Sequence, residues 1–386
     1  MGGISKVATE LAYGLCREGH EVEVFCLGRS AELHLRAPFK VHTVRPKWQL
    51  YDEYPVVSFS LAAFRMLMGR HRECPFDVSH GMNFNNYGLT FWRRKMSKMG
   101  LAHVSTAFET TQMEIQAKWT EFLGRPNMHL FAQIVMECYL APWQKSYIGW
   151  GDAITTEDEE TKAQLGRLGI DQGRVRLIPS GIDINRVHRC RSGRPGIYPE
   201  GKRILLCPGR VDPRKGTQYL IRAVERLKWP SDWHVVIVGG GRGQYIETMV
   251  ALSSELGLDD KLSFCGQVDD LYPYYQHADA VVIPSLSEGI PLTLQEALAF
   301  GLPVFCSKLL GVYQWAKSLA AIRWFDAADV ASMAICLSSL EKLPSEDQLL
   351  TAKKWMEDFS WECVVRRYVY VYEEARSGLH VRTSTS

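Results

Sequence analysis

The chain has no apolar run approaching the roughly 20 residues that a helix needs to span a bilayer. No signal-peptide pattern follows Met1-Gly2-Gly3, and Lys6 stands where N-myristoylation requires Ser or Thr. A membrane crossing is therefore not expected, although contact with a membrane surface stays open. Ten cysteines are present, but there is no Cys-x-x-Cys and no zinc-like Cys/His spacing. Several, such as Cys207 and Cys306, sit inside apolar runs where a small thiol packs well, which points to a reducing cytoplasm. A formal net charge of only +2 gives no general argument for nucleic acid. Gly239-Gly240-Gly241 is not a dinucleotide fingerprint, since that would place a glycine at Gln244. Asp259-Asp260 and Asp269-Asp270 are adjacent pairs rather than Asp-x-Asp, so they read as helix caps or surface charge.

What is present is ordinary globular material, 46% hydrophobic and 23% charged, in a chain of 386 residues. That length exceeds one core of usual size and implies two domains. Apolar strand-like runs alternate with amphipathic helical segments, the pattern of an α/β protein with parallel sheets. The most informative stretch follows Ala280-Val281-Val282-Ile283, which reads as a buried strand. Pro284-Ser285 ends that strand, Pro291 is placed to open a helix, and Gly301 with Pro303 stops it. Glu288 thus lies in a loop at the carboxyl end of a strand and Glu296 on the helix that follows. In open α/β sheets ligands bind there, and the amides around Gly289, Ile290 and Leu292 form a helix N-terminus suited to an anion.

Glu288-Gly289-x-Pro291 followed by Glu296 resembles the Glu-x7-Glu motif of retaining glycosyltransferases of the GT-B fold, in the "glycosyl transferases group 1" family. The resemblance implies that Glu288 touches the transferred sugar and that Glu296 accepts hydrogen bonds from ribose hydroxyls. Gly289, Ile290, Pro291 and Leu292 would line the sugar and the distal phosphate. Gly209-Arg210 with Lys215-Gly216 matches the family's Gly-Arg-x-x-x-x-Lys-Gly, whose two cations would grip the nucleotide diphosphate. Gly239 and Gly240 correspond to its glycine turn near the nucleotide, and Phe264-x-Gly266-x-Val268 to the strand beside the base. Arg210, Lys215 and Glu288 are thus the catalytic candidates. Gly209, Gly239, Gly240, Val268, Gly289, Ile290, Pro291, Leu292 and Glu296 are the donor-binding ones.

The resemblance also sets the expected architecture: two Rossmann-like domains facing a cleft, 1–188 on the acceptor side and 189–360 binding the nucleotide sugar. A final helix from Trp361 would cross back to the first domain and end in a frayed Ser/Thr tail. Gly2-Gly3 at the first helix, His80 at the polar end of the strand read over 76–81, and Glu109 are the acceptor-side candidates. Many relatives read Thr-x-His-Gly-Thr where this chain has Phe108 and Glu109, so no histidine role is carried over there. In relatives a first strand precedes the Gly-Gly loop. A chain starting at Met1 supplies the following helix but not that strand. A gap or collapsed pairing is therefore expected between the strands at 22–26 and 78–80, with a poorly stable acceptor domain and a gene product that starts upstream. The helix at 91–99, with Trp92, Arg93, Arg94, Lys95, Met96 and Lys98, offers either a solvated face or a footing on anionic lipid. The aromatic-rich segment 113–150 reads as core.

By this resemblance the chain would move a hexose from a nucleotide-diphosphate sugar, its co-substrate, to a saccharide or lipid-linked acceptor with retained configuration. No cofactor is implied. Two rival readings remain at this level: a nucleotide-sugar epimerase, which would act on the donor alone, and a donor-binding protein of the same fold without activity.

Overall fold

A computed structural model describes residues 3–27, 37–45, 56–108, 110–112, 115, 118–119, 128–241 and 243–384. Contacts divide the chain into two units, one holding the described residues up to Gly181 plus the helix from Trp361, the other Ile182–Ser360.

In the first unit the strands are β1 (Glu23–Leu27), β2 (Lys40–Val44), β3 (Val78–Met82), β4 (Ala102–Ala107), β5 (Ala153–Thr156) and β6 (Val175–Leu177). They form two separate parallel sheets, β1-β2 and β3-β4-β5-β6. The gap expected between the strands at 22–26 and 78–80 is therefore present among the described residues. A glutamate network holds the smaller sheet: Glu23 is bonded by Arg70 at 3.1 Å and by His42 at 2.8 Å. Burial pushes the Glu23 carboxyl up, but the hydrogen bonds and charges of Arg70 and His42 outweigh it and leave the carboxyl below its ordinary range.

The larger sheet is covered by the helix Gly3–Arg17 and the helix Trp361–Ser384. Val7 and Leu11 meet Val364, Val365, Tyr368 and Val371 over Val104 and Ala153 in one buried cluster. The final helix thus packs into the first unit. It is helical through Ser384, so of the expected frayed tail only Thr385 and Ser386 fall outside the described residues.

The second unit has β7 (Arg203–Pro208), β8 (Trp233–Val238), β9 (Leu262–Gly266), β10 (Ala280–Ile283), β11 (Val304–Ser307) and β12 (Ile322–Phe325). All pair in parallel in the order β12-β11-β10-β7-β8-β9. Alternate side chains feed two cores. Ile204, Leu206, Val236, Val281 and Val304 enter one, while Leu205, Val235, Ile237, Val282 and Phe305 enter the other. Helices cover both faces, so these strands need unbroken apolar sequence, and each buried aliphatic side chain contributes about 1.5–3 kcal/mol. The helix Ile184–Arg189, expected in the first domain, belongs here because Ile184 and Val187 are buried in the first of these cores.

Two local expectations are corrected. The segment 113–150 is core only in part: Ile134, Tyr147 and Ile148 are buried, but Met128, Phe131, Val135 and Tyr139 are exposed, because helical spacing of apolar residues defines a face but not whether anything covers it. In the helix Leu89–Lys98, Arg93 is not a free cation, since it reaches the buried Asp152 at 2.5 Å, and Met96 is fully buried.

Candidate functional site

In the second unit the strand order reverses at β7, with β8 on one side and β10 on the other. Loops leaving β7 and β10 diverge at such a point and open a crevice at the carboxyl edge of the sheet. The loop after β7 carries Gly209, Arg210 and Lys215. The loop after β10 carries Glu288 and Gly289 and leads into the helix Leu292–Ala299.

The two loops meet. Lys215 Nζ donates to Glu288 Oε1, and Ser285 Oγ donates to the same oxygen at 2.9 Å. The Leu286 amide donates to the Arg214 carbonyl at 2.7 Å, joining the loops through the backbone as well. Gly216 has φ +72°, and a Cβ there would lie 1.9 Å from the Pro284 carbonyl oxygen, so only glycine lets the Lys215 turn approach β10 this closely. Glu288 is nearly buried, its side chain 13% exposed. Burial alone would raise its pKa. The charge and hydrogen bond of Lys215, the Ser285 hydroxyl and the Arg214 charge together outweigh this and hold it below the usual carboxylate range. Glu288 is thus kept as an anion inside a poorly solvated site.

Asp212 prepares the cationic side of this arrangement. Its carboxylate caps the turn Pro213–Lys215 by accepting from the Lys215 amide at 3.2 Å, and it pairs with Arg210 at 3.4 Å. Arg210 stays 71% exposed. The glycine turns nest against one another: a Cβ on Gly239 would lie 1.9 Å from the Gly209 carbonyl oxygen. The Gly209 amide donates to Val238, the Gly239 amide to Gly266, and the Gly240 carbonyl accepts from Val211. These glycines bring the ends of β7, β8 and β9 together. Gln267 abuts Gly240, which places its neighbour Val268, partly buried against the core, beside the same turn.

Pro291 is the N-cap rather than the first residue of its helix, with φ −63° and ψ 127°. Its carbonyl accepts the first intrahelical bonds from Leu294 and Gln295, so the amides of Leu292 and Thr293 precede the helical ladder and point out of the helix N-terminus. Ile290 is buried beneath that end. One turn on, Glu296 is also buried beside Tyr275, whose hydroxyl donates to the Thr293 carbonyl at 3.4 Å. Burial first, then the charge of Glu296, push the Tyr275 phenol well above its ordinary value, so it remains a donor. Tyr275 is itself clamped by stacking on Phe300, ring centroids 5.6 Å apart.

The acceptor-side candidates lie in the first unit. Gly3 begins the first helix, while Gly2 and Glu109 lie outside the described residues. His80 has both ring nitrogens engaged, Nδ1 with Tyr372 Oη at 2.8 Å and Nε2 with Thr106 Oγ1 at 2.6 Å. Phe108 is buried and its amide donates to Asn83 Oδ1 at 2.7 Å. Among the described residues no group of His, Cys, Asp and Glu side chains could hold a metal ion.

A family profile described as "Glycosyl transferases group 1" matches residues 194–353, and one described as "Glycosyltransferase Family 4" matches 1–186. The chain belongs to the group 1 glycosyltransferases. It is 26% identical over 97% of its length to a D-inositol 3-phosphate glycosyltransferase of Actinosynnema mirum, covering 93% of that protein. Its fold matches a sucrose-phosphate synthase from Thermosynechococcus elongatus with TM-score 0.77 at 19% identity, covering 97% of this chain and 93% of the other. It also matches Anabaena Alr3699/HepE, solved with UDP and glucose, with TM-score 0.72 at 14% identity and 96% of each chain covered.

Three residues of the site escaped the sequence reading. Asp212-Pro213 carried a usable signal, since Asp before Pro is a turn and cap start. Ser285 carried a weak one, three residues before Glu288. Tyr275 carried none: its neighbour Glu296 lies in a separate element, and only packing brings them together.

Proposed function

We propose that this glycosyltransferase moves a hexose from a nucleotide-diphosphate sugar to a saccharide or lipid-linked acceptor, with retention of anomeric configuration and without a metal. The observation that carries the reading is the bonded Lys215–Glu288–Ser285 cluster at the strand-order reversal, with the buried Glu296 one turn into the helix that follows. In this reading Glu296, beside Tyr275, accepts from the ribose hydroxyls. The amides of Gly289, Ile290, Leu292 and Thr293 face the sugar and distal phosphate. Arg210 and Lys215 take up charge on the departing diphosphate.

Breaking the C1–O bond to phosphate and forming the C1–O bond to the acceptor releases one acceptor proton. On a retained face the leaving phosphate oxygen sits beside the attacking hydroxyl and takes that proton, so no side-chain base is required. Two cations and a helix N-terminus supply the charge stabilisation for which other transferases use a metal. The Actinosynnema relative supports a phosphorylated polyol among the acceptors to be tried, and the Anabaena complex supports a uridine nucleotide among the donors.

A thermal-shift panel of UDP, GDP, ADP and their hexose conjugates is the first test, since bound ligand stabilises by mass action. One base series is expected to raise Tm, and that donor with acceptor is expected to yield product of unchanged anomeric configuration by NMR, with chelator present. Donor turnover without acceptor into an epimer would favour epimerisation; binding with no turnover would favour a donor-binding protein. Glu296→Ala is expected to weaken donor nucleotide affinity about tenfold or more, and Tyr275→Phe by a smaller factor, with kcat less affected. If Tyr275→Phe still weakens binding in the Glu296→Ala background, Tyr275 does not act through Glu296.

A further inference from the structure

Along the helix Met128–Leu140, Met128, Phe131, Val135 and Tyr139 fall at helical spacing on one side, and all are exposed, Val135 by 51% and Tyr139 by 67%. Trp143 and Trp150, just beyond, are exposed as well. Tyr139 lies beside Tyr87, whose phenol is raised by burial and, secondarily, by that neighbour. Tyr87 in turn packs on Phe91 with ring centroids 6.0 Å apart, and Phe91 is 59% exposed. The apolar row therefore continues onto the helix Leu89–Lys98. On that helix Arg93 is tied to Asp152, but Arg94 and Lys98, one turn apart, are exposed.

Cations outnumber acids in the two segments that carry this row. No Asp or Glu occurs between Asp77 and Glu109, and Glu137 is the only acid from 128 to 151. Lys145 is exposed on the short helix Gln144–Gly149, which follows the row in the chain and packs against the helix Leu89–Lys98. Exposed Trp and Tyr, which carry an apolar ring and a polar tip, suit the boundary between hydrocarbon and water, and the cations suit phosphate headgroups. A symmetric contact with a second copy would instead set these cations against their own kind.

We propose that the first unit docks on the surface of an anionic lipid bilayer through Met128, Val135, Tyr139 and Phe91, with Arg94, Lys98 and Lys145 against the headgroups. This moves the lipid footing away from Trp92, Arg93 and Met96, which the helix turns inward or engages. It does not depend on which sugar is transferred, and lipid binding is read separately from transfer.

The test is co-sedimentation of the full chain with vesicles of phosphatidylcholine alone or mixed with phosphatidylglycerol, at low and high salt. Binding is expected with the anionic vesicles and to fall severalfold in high salt. Val135→Asp with Tyr139→Ser should lower the bound fraction at least about fivefold, and Arg94→Glu with Lys98→Glu should do the same. Tm should stay unchanged in both pairs, because these side chains are exposed. Ile335→Asp, an exposed apolar residue of the second unit, should leave binding intact. Absence of vesicle binding, equal binding to both compositions, or binding that survives both double variants would overturn the proposal. So would concentration-dependent dimerisation abolished by Val135→Asp without any lipid binding, which would make the face an interface between copies.

Discussion

Lys215→Ala is expected to lower kcat about 100- to 1000-fold while changing donor affinity much less. The reason is timing: a cation facing the diphosphate matters most when the leaving group gains charge, so its loss falls on the transition state. The variant also strips Glu288 of its partner. Glu288 is nearly buried, and leaving its charge uncompensated is expected to cost stability on the order of 1–3 kcal/mol. The two effects are separable. Adding Glu288→Gln to Lys215→Ala removes the orphaned charge, so thermal unfolding should recover much of the loss, while transfer should remain as slow or slower. Single-turnover rates and Tm on the same three proteins check this. Recovery of both rate and stability in the double variant would show that Lys215 serves only to neutralise Glu288.

The second large effect is acid destabilisation of the first unit, carried by two histidines. His103 is buried, with Nδ1 bonded to Ser79 Oγ at 2.7 Å and Nε2 to Asn86 Oδ1 at 2.8 Å. Asn86 Nδ2 is taken by the Asn83 carbonyl, so its oxygen faces His103, and Nε2 carries the proton. The neutral ring therefore suits its surroundings. Burial lowers the His80 pKa to about 4. Burial, with lesser contributions from the His80 and Arg93 charges, lowers that of His103 to about 3.

Both folded-state values lie below the unfolded value near 6.5, so below that pH the unfolded chain binds more protons and stability falls. The loss begins near pH 6.5 and accumulates down to about 4 for His80 and about 3 for His103. By about pH 4 it amounts to roughly 3 kcal/mol for each ring. Glu23, in the same unit and held below its ordinary range, adds its loss only at the lower end of that window. Urea unfolding between pH 7 and 4 is the measurement. The slope of stability against pH should flatten in His103→Gln whatever that variant does to stability at neutral pH. An unchanged slope would mean that His103 is not the titrating group.

Much of this protein was legible in its residues. Runs such as Ala280–Ile283, apolar at every position, mark strands covered on both faces, which only a parallel α/β sheet provides. The spacing of Glu288 and Glu296, and of Arg210 and Lys215, placed each at the end of a strand or on the next helix, because the turn and helix signals between them are local. What pairs with what across the chain was not legible. Contact between Lys215 and Glu288, the packing of Tyr275 beside Glu296, and the Arg93–Asp152 pair join residues from separate elements, and no local pattern encodes them. Burial sides were equally hidden. The row on the helix Met128–Leu140 and the inward turn of Met96 have the same apolar spacing, yet one is exposed and the other buried. Periodicity determines that a helix has an apolar face, whereas only the neighbouring elements decide whether that face meets protein or is left to another surface.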